Sequence, residues 1–257
     1  MSIPPSLYAQ DGYRCRLEWG WHGARVAADR GDIVVIVDVL RFSSAVATAA
    51  QFGAIVYPCE LYGDVASLAR QHDAIAGGKT NVAQGDARFS LSPSTFVDAV
   101  AGTKVVLPSL NGAMCSIRAQ SAPHAFVASL LNASAVAAEV SLLLDASSLD
   151  VTVVACGERW GGENEDGALR FAVEDYLGAG AVLAGLRHEQ SPEASVCAAA
   201  FERSRDDVAA LLWECASGRE LRAMGLAQDV IDCARVDVYE VVPVLRGGRY
   251  EGLSAVM

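Results

Sequence analysis

Apolar and polar positions fall into blocks that alternate along this chain. Ile33-Val34-Val35-Ile36-Val37 is a continuous β-branched run that stops at Asp38, the pattern of a strand buried on both faces. Ala45, Val46, Ala49 and Phe52 follow at helical spacing, and Gly53 marks a stop. Shorter strands are predicted over residues 54–57, 104–107 and 125–128, and a second strong buried strand over 151–155. Residues 77–94 and 156–166 are rich in glycine and polar residues and read as loops. Asn111-Gly112 reads as a turn before a helix. Helical patterns cover about 168–186 and dominate 194–224, and a late strand is predicted over 238–244, at a sheet edge because of Pro243.

Strands that alternate with helices argue for an α/β fold, with mixed or largely parallel sheets and flanking helices. No repeat or low-complexity tract divides the chain. The nearest approach to a boundary is the loop at 145–150, so the expectation is one unit over 1–257, with two halves, about 1–145 and 146–257, sharing one cleft. In such sheets ligands gather at the carboxyl ends of strands. Three predicted ends carry polar residues: Asp38, the stretch from Ser109 to Asn111, and the stretch from Cys156 to Glu158.

Composition narrows the function. Of the 257 residues, 52% are hydrophobic and 7% aromatic, enough for a large core of small side chains. No stretch of about 18 uncharged apolar residues occurs, which argues against a membrane span. The first residues lack a basic start before an apolar run, so no signal peptide is expected. A net charge of −11 disfavours a nucleic-acid partner. The seven cysteines are scattered, with no C-x-x-C pair, which fits reduced thiols in the cytoplasm better than a zinc ribbon or a disulfide scaffold.

Several motifs fail on inspection. Gly78-Lys79-Thr80 resembles the end of a phosphate-binding loop, but Asp73 stands where its first glycine belongs. No G-x-G-x-x-G follows the first strand, and His188-Glu189 lacks the second histidine of a zinc protease helix. Cys197 and Arg203 have the spacing of a thiol phosphatase, yet the residues between them contain no glycine to cradle an anion.

The informative segment is Val37-Asp38-Val39-Leu40-Arg41-Phe42-Ser43-Ser44. A carboxylate at a strand end can hold Mg²⁺, which prefers oxygen ligands. Arg41 can grip a phosphate or sulfonate in a fork, and Ser43 and Ser44 in a first helical turn can bind an anion. The bland alternative stands beside it: Asp38 and Ser43 cap the helix and Arg41 pairs with Asp38. Glu174 and Asp175 interrupt an apolar helix, so at least one faces inward and wants a cation, either a metal or a salt-bridging arginine. Glu163, Glu165 and Asp166 read as a solvated charge run.

Taken in order, these segments resemble the 2-phosphosulfolactate phosphatase (ComB-type) family. The likeness runs through Val37-Asp38-Val39-Leu40-Arg41, Gly53-Ala54, Gly77-Gly78-Lys79, Ser92-Pro93, Asn111-Gly112 and Leu131-Asn132-Ala133. It continues through Cys156-Gly157, Glu174-Asp175, Gly218-Arg219-Glu220-Leu221, Cys233, Asp237 and Val241-Val242-Pro243-Val244. The resemblance implies an α/β fold of its own kind and Mg²⁺-dependent hydrolysis of 2-phosphosulfolactate to sulfolactate and phosphate, a step towards coenzyme M. It places Asp38, Arg41, Glu174 and Asp175 in the catalytic set, with Asp38 and Asp175 on the metal. It places Ser43, Ser44, Lys79, Ser92, Ser109, Asn111, Gly112 and Asn132 near the substrate. Leu91 stands where the family usually has Asn, Lys79 where Glu is common, and Gly178 where Cys is common. Leu91 and Lys79 change the polarity near the expected pocket and leave other small phosphoacids, or a silent anion-binding homologue, as alternatives. Attack by metal-bound water is the expected chemistry, with an aspartyl-phosphate on Asp38 as its rival. A homodimer is left open.

Overall fold

The structure, a computed structural model, describes residues 8–78, 88–161 and 167–253. Strand–helix units dominate the first half: β1 (Cys15–Trp19) and α1 (Gly20–Arg30), β2 (Ile33–Val37) and α2 (Phe42–Gln51), β3 (Ile55–Glu60) and α3 (Val65–His72). Next come β4 (Ile75–Ala76), β5 (Lys104–Ser109) with α4 (Gly112–Arg118), β6 (Ala125–Ala128) with α5 (Ala133–Ala146), and β7 (Val151–Ala155). Two short strands, β8 (Glu158–Arg159) and β9 (Leu169–Arg170), precede α6 (Val173–Ala184), α7 (Pro192–Ser204), α8 (Val208–Glu214), α9 (Ala216–Ala223) and α10 (Ala227–Cys233). Among the described residues a hairpin of β10 (Pro243–Arg246) and β11 (Arg249–Gly252) comes after every other strand.

Among the described residues one mixed sheet of nine strands runs in the order β1-β7-β2-β6-β10-β11-β3-β5-β4, and β8 pairs with β9 apart from it. The strands β1, β7, β2 and β6 are mutually parallel, as are β3, β5 and β4. The hairpin joins the two blocks by antiparallel pairing to β6 on one side and to β3 on the other. The fold is therefore α/β with a largely parallel sheet, as the alternation of elements predicts.

Burial on both faces explains the apolar runs. Ile33, Val35 and Val37 enter one core with α5, α6 and α7, whereas Val34 and Ile36 enter the other with α1, α2 and α4. Each such side chain stabilises the fold by roughly 1.5–3 kcal/mol through removal from water.

Several expected boundaries move. Pro243 opens a strand inside the sheet, paired with Gly252, instead of lying at an edge. A first residue can dispense with its N–H, so the ladder survives. The late strand begins at Pro243 rather than at residue 238. The helix expected from 168 begins at Val173, because Leu169 and Arg170 pair with β8. The helical region 194–224 breaks into α7, a short turn, α8 and α9. Lys79 and the acidic run Glu163, Glu165 and Asp166 lie outside the described residues.

Candidate active site

β2 delivers Asp38 to the floor of a cleft of about 310 Å³ that Arg41, Ser109, Asn111 and Glu158 also line. The Asp38 carboxylate is buried and held from two sides. Its Oδ1 accepts the Phe42 N–H at 3.1 Å and its Oδ2 accepts the Gly112 N–H at 2.8 Å. The loop after β5 thus comes to meet the loop after β2. Glycine at position 112 permits that approach, since a Cβ there would overlap the Phe42 ring and lie 2.7 Å from Asp38 Oδ2.

A second carboxylate closes the third strand end. Asp175, in the first turn of α6, accepts the Val39 N–H on Oδ1 at 2.7 Å and the Gly157 N–H on Oδ2 at 2.8 Å. It ties α6 to the chain leaving β2 and β7, behind the cleft wall. Glu174 is buried beside it. Glu158 accepts the Asn111 amide N–H at 3.0 Å, while Asn111 Oδ1 is buried without a partner among the described residues.

The charges on this wall disfavour one another. Burial, then the Glu174 carboxylate, push Asp38 up to about 6 against the pull of its two amide donors and Arg41. Burial, then Asp38 and Glu174, push Glu158 up to about 7. Burial and the same neighbours hold Asp175 well above the usual carboxylate range. A cation would relieve all three. Among the described residues no three of His, Cys, Asp and Glu form a ready-made metal cage. Mg²⁺ needs none, because it keeps several waters and commonly takes one or two carboxylates plus the substrate phosphate. The donor set, with the unpartnered Asn111 Oδ1 beside Asp38, fits that ion.

Arg41 does not pair with Asp38. Its Nη1 pairs with Asp229 and donates to Ser92 Oγ at 3.2 Å. The capping alternative holds in part, since Asp38 accepts the first N–H of α2. Ser43 Oγ accepts the Asp38 N–H and donates to the Ile36 carbonyl, and Ser44 Oγ donates to the Val39 carbonyl. Asn132 caps the turn before α5, bonding Ser129, Val127 and Val241. These three polar side chains are occupied internally and do not line the cleft. All seven cysteines are buried and free, and burial raises the Cys156 thiol well above its usual range. Two residues escaped the sequence reading as functional candidates. Glu158 stands at a strand end already noted as polar. Asp229 shares the buried face of α10 with Val230 and Cys233, and an acid on an apolar helix face is the signal that could have found it.

The fold and this wall of acids define an α/β protein with a carboxylate-rich, single-arginine cleft among its described residues at converging strand ends. The family model of 2-phosphosulpholactate phosphatase matches residues 24–248. The chain belongs to that family of phosphoric monoester hydrolases. A protein of Gloeobacter violaceus is 30% identical, over 82% of this chain and 87% of its own. One of Thermus thermophilus is 30% identical over 86% and 91%, and one of Symbiobacterium thermophilum 27% over 85% and 93%. All three bear the name "Probable 2-phosphosulfolactate phosphatase". No described helix is long and apolar enough to cross a membrane.

Proposed function

We propose that this chain is a Mg²⁺-dependent phosphatase that hydrolyses 2-phosphosulfolactate to sulfolactate and phosphate. The observation that carries the reading is the Asp38 carboxylate, fixed by the Phe42 and Gly112 amides on the floor of the cleft that holds Arg41, Asn111 and Glu158. Asp38 and Asn111 Oδ1 would hold the ion, which when bound neutralises charge on the phosphoryl oxygens. Asp175 does not line the cleft and its oxygens accept the Val39 and Gly157 amides, so we assign it to holding the strand ends together. Arg41 binds the nonbridging oxygens. Glu158, poised near neutrality, accepts a proton from the attacking water as the new O–P bond forms. The C2 oxygen, which leaves on the opposite side of phosphorus, takes a proton from solvent as the ester P–O bond breaks, and Glu158 releases its own to solvent. Direct attack by water is the route proposed, with an aspartyl-phosphate on Asp38 as its rival. Leu40, Leu61, Leu91, Leu110, Leu221 and Met224 also line the cleft and favour, as a second reading, a phosphoacid with an apolar substituent.

Phosphate release from 2-phosphosulfolactate and from apolar phosphoacids, with Mg²⁺ and with excess EDTA, tests both readings. The expected result is turnover that vanishes in EDTA and returns with Mg²⁺, greatest on 2-phosphosulfolactate. Full turnover in EDTA would sink the metal assignment. Preference for an apolar phosphoacid would move the substrate to the second reading.

A further inference from the structure

Asp229 sits on α10, 188 residues from Arg41 in sequence, yet the two side chains form a buried ion pair, 5% and 6% exposed. Ser92 Oγ completes a closed triangle. It donates to Asp229 Oδ2 at 2.7 Å and receives Arg41 Nη1 at 3.2 Å. Three separate segments therefore converge on one nitrogen: the chain after β2, the turn at Ser92 and α10. Among the described residues the hydrogen bonds of this guanidinium run through Nη1, which leaves Nη2 and Nε for a ligand in the cleft that Arg41 lines.

A buried ion pair adds little net stability compared with apolar side chains of the same volume. Its effect here is on direction. Arg41 shares the cleft with Asp38 and Glu158, and a guanidinium free to turn would pair with either and leave the phosphate unheld. We infer that Asp229, with Ser92, is a positioning residue for phosphate recognition: it anchors Nη1 so that the rest of the Arg41 fork faces the phosphoryl oxygens. This inference rests on the reading of the cleft as a phosphate site.

The test compares wild type, Asp229→Asn, Ser92→Ala, Arg41→Ala and the Arg41→Ala/Asp229→Asn pair, all with Mg²⁺. KM, kcat and the inhibition constant of inorganic phosphate are measured, with thermal unfolding to confirm folding. Asp229→Asn is expected to weaken phosphate inhibition and raise KM by about tenfold, the size of one charge-assisted hydrogen bond. In the Arg41→Ala background the same change should have almost no further effect, because the residue acts through Arg41. Ser92→Ala should weaken phosphate inhibition by roughly threefold. An equal loss from Asp229→Asn in both backgrounds would overturn the inference, as would unchanged or tighter phosphate inhibition. If Asp229→Asn does not fold, Ser92→Ala with and without Arg41→Ala makes the same comparison. Unchanged phosphate inhibition in Arg41→Ala would instead bring down the phosphate-site reading itself, and the inference with it.

Discussion

Asp38 and Glu158 are held in a state that water would not choose, and this makes their charged forms a source of instability. Ordinary Asp and Glu carboxyls titrate near about 4; in the folded chain these two titrate at about 6 and about 7. Both groups bind protons more tightly folded than unfolded. The stability they contribute is therefore full below about pH 4 and lost as the pH rises through about 6 and then about 7. In EDTA, the melting temperature should be higher at pH 5 than at pH 8, as scanning calorimetry would read. Glu158→Gln should flatten that dependence and stabilise the metal-free protein at pH 8 by roughly 2 kcal/mol, while slowing turnover. Stability that climbs steadily from pH 5 to pH 8 in EDTA would contradict the crowding. Gly112→Ala acts on the same wall from the other side. The added Cβ must displace the Phe42 ring or the Asp38 carboxylate, so a loss of roughly 1–3 kcal/mol in denaturant unfolding is expected, together with weakened Mg²⁺ activation.

At the scale of elements, α6 shows how closely the wall is built. A Cβ on Gly178 would lie 2.5 Å from Val39 Cγ2 and 2.9 Å from Val37 Cγ1, so only the bare backbone lets the helix sit on β2 this closely. Gly178→Cys should therefore destabilise by roughly 1–3 kcal/mol, outweighing the entropy gained on losing a helical glycine. It should also reduce turnover, because α6 carries the Asp175 carboxylate that bonds Val39 and Gly157. Equal stability and activity in this variant would show that the helix can shift freely. The elements that the sequence reveals most clearly, β2 and β7, are those buried on both faces, where an unbroken β-branched run has one reading. β1 hides because Arg16 is buried in it, paired with Asp32 and Asp150 at 3.1 and 2.7 Å, and the hydrophobic pattern breaks at that position. The start of α6 hides because Leu169, Phe171 and Val173 suit strand and helix alike. At the site, Asp38, Arg41, Ser109 and Asn111 were legible because strand ends collect polar groups. The partner of Arg41 was not, since pairing across 188 residues leaves no local trace.

At the scale of the whole molecule, the β10–β11 hairpin is the joint between two parallel blocks that, among the described residues, otherwise share no hydrogen-bonded strand pair in the sheet. Removal of residues 243–257 should therefore abolish cooperative folding rather than trim it. Circular dichroism melts and limited proteolysis would check this, and a sharp melt in the shortened chain would show that the blocks hold together through helices alone. The joint also sets a timetable for the newborn chain. β6 is complete at Ala128, yet its neighbour starts at Pro243, about 115 residues later, which is roughly 5–25 s of translation. During that interval β6 and β3 each present a bare, hydrogen-bond-hungry edge to a crowded cell. Slow ribosomes lengthen the exposure and attendant chaperones shield it, so yield of this protein should depend on how fast its final hairpin is made.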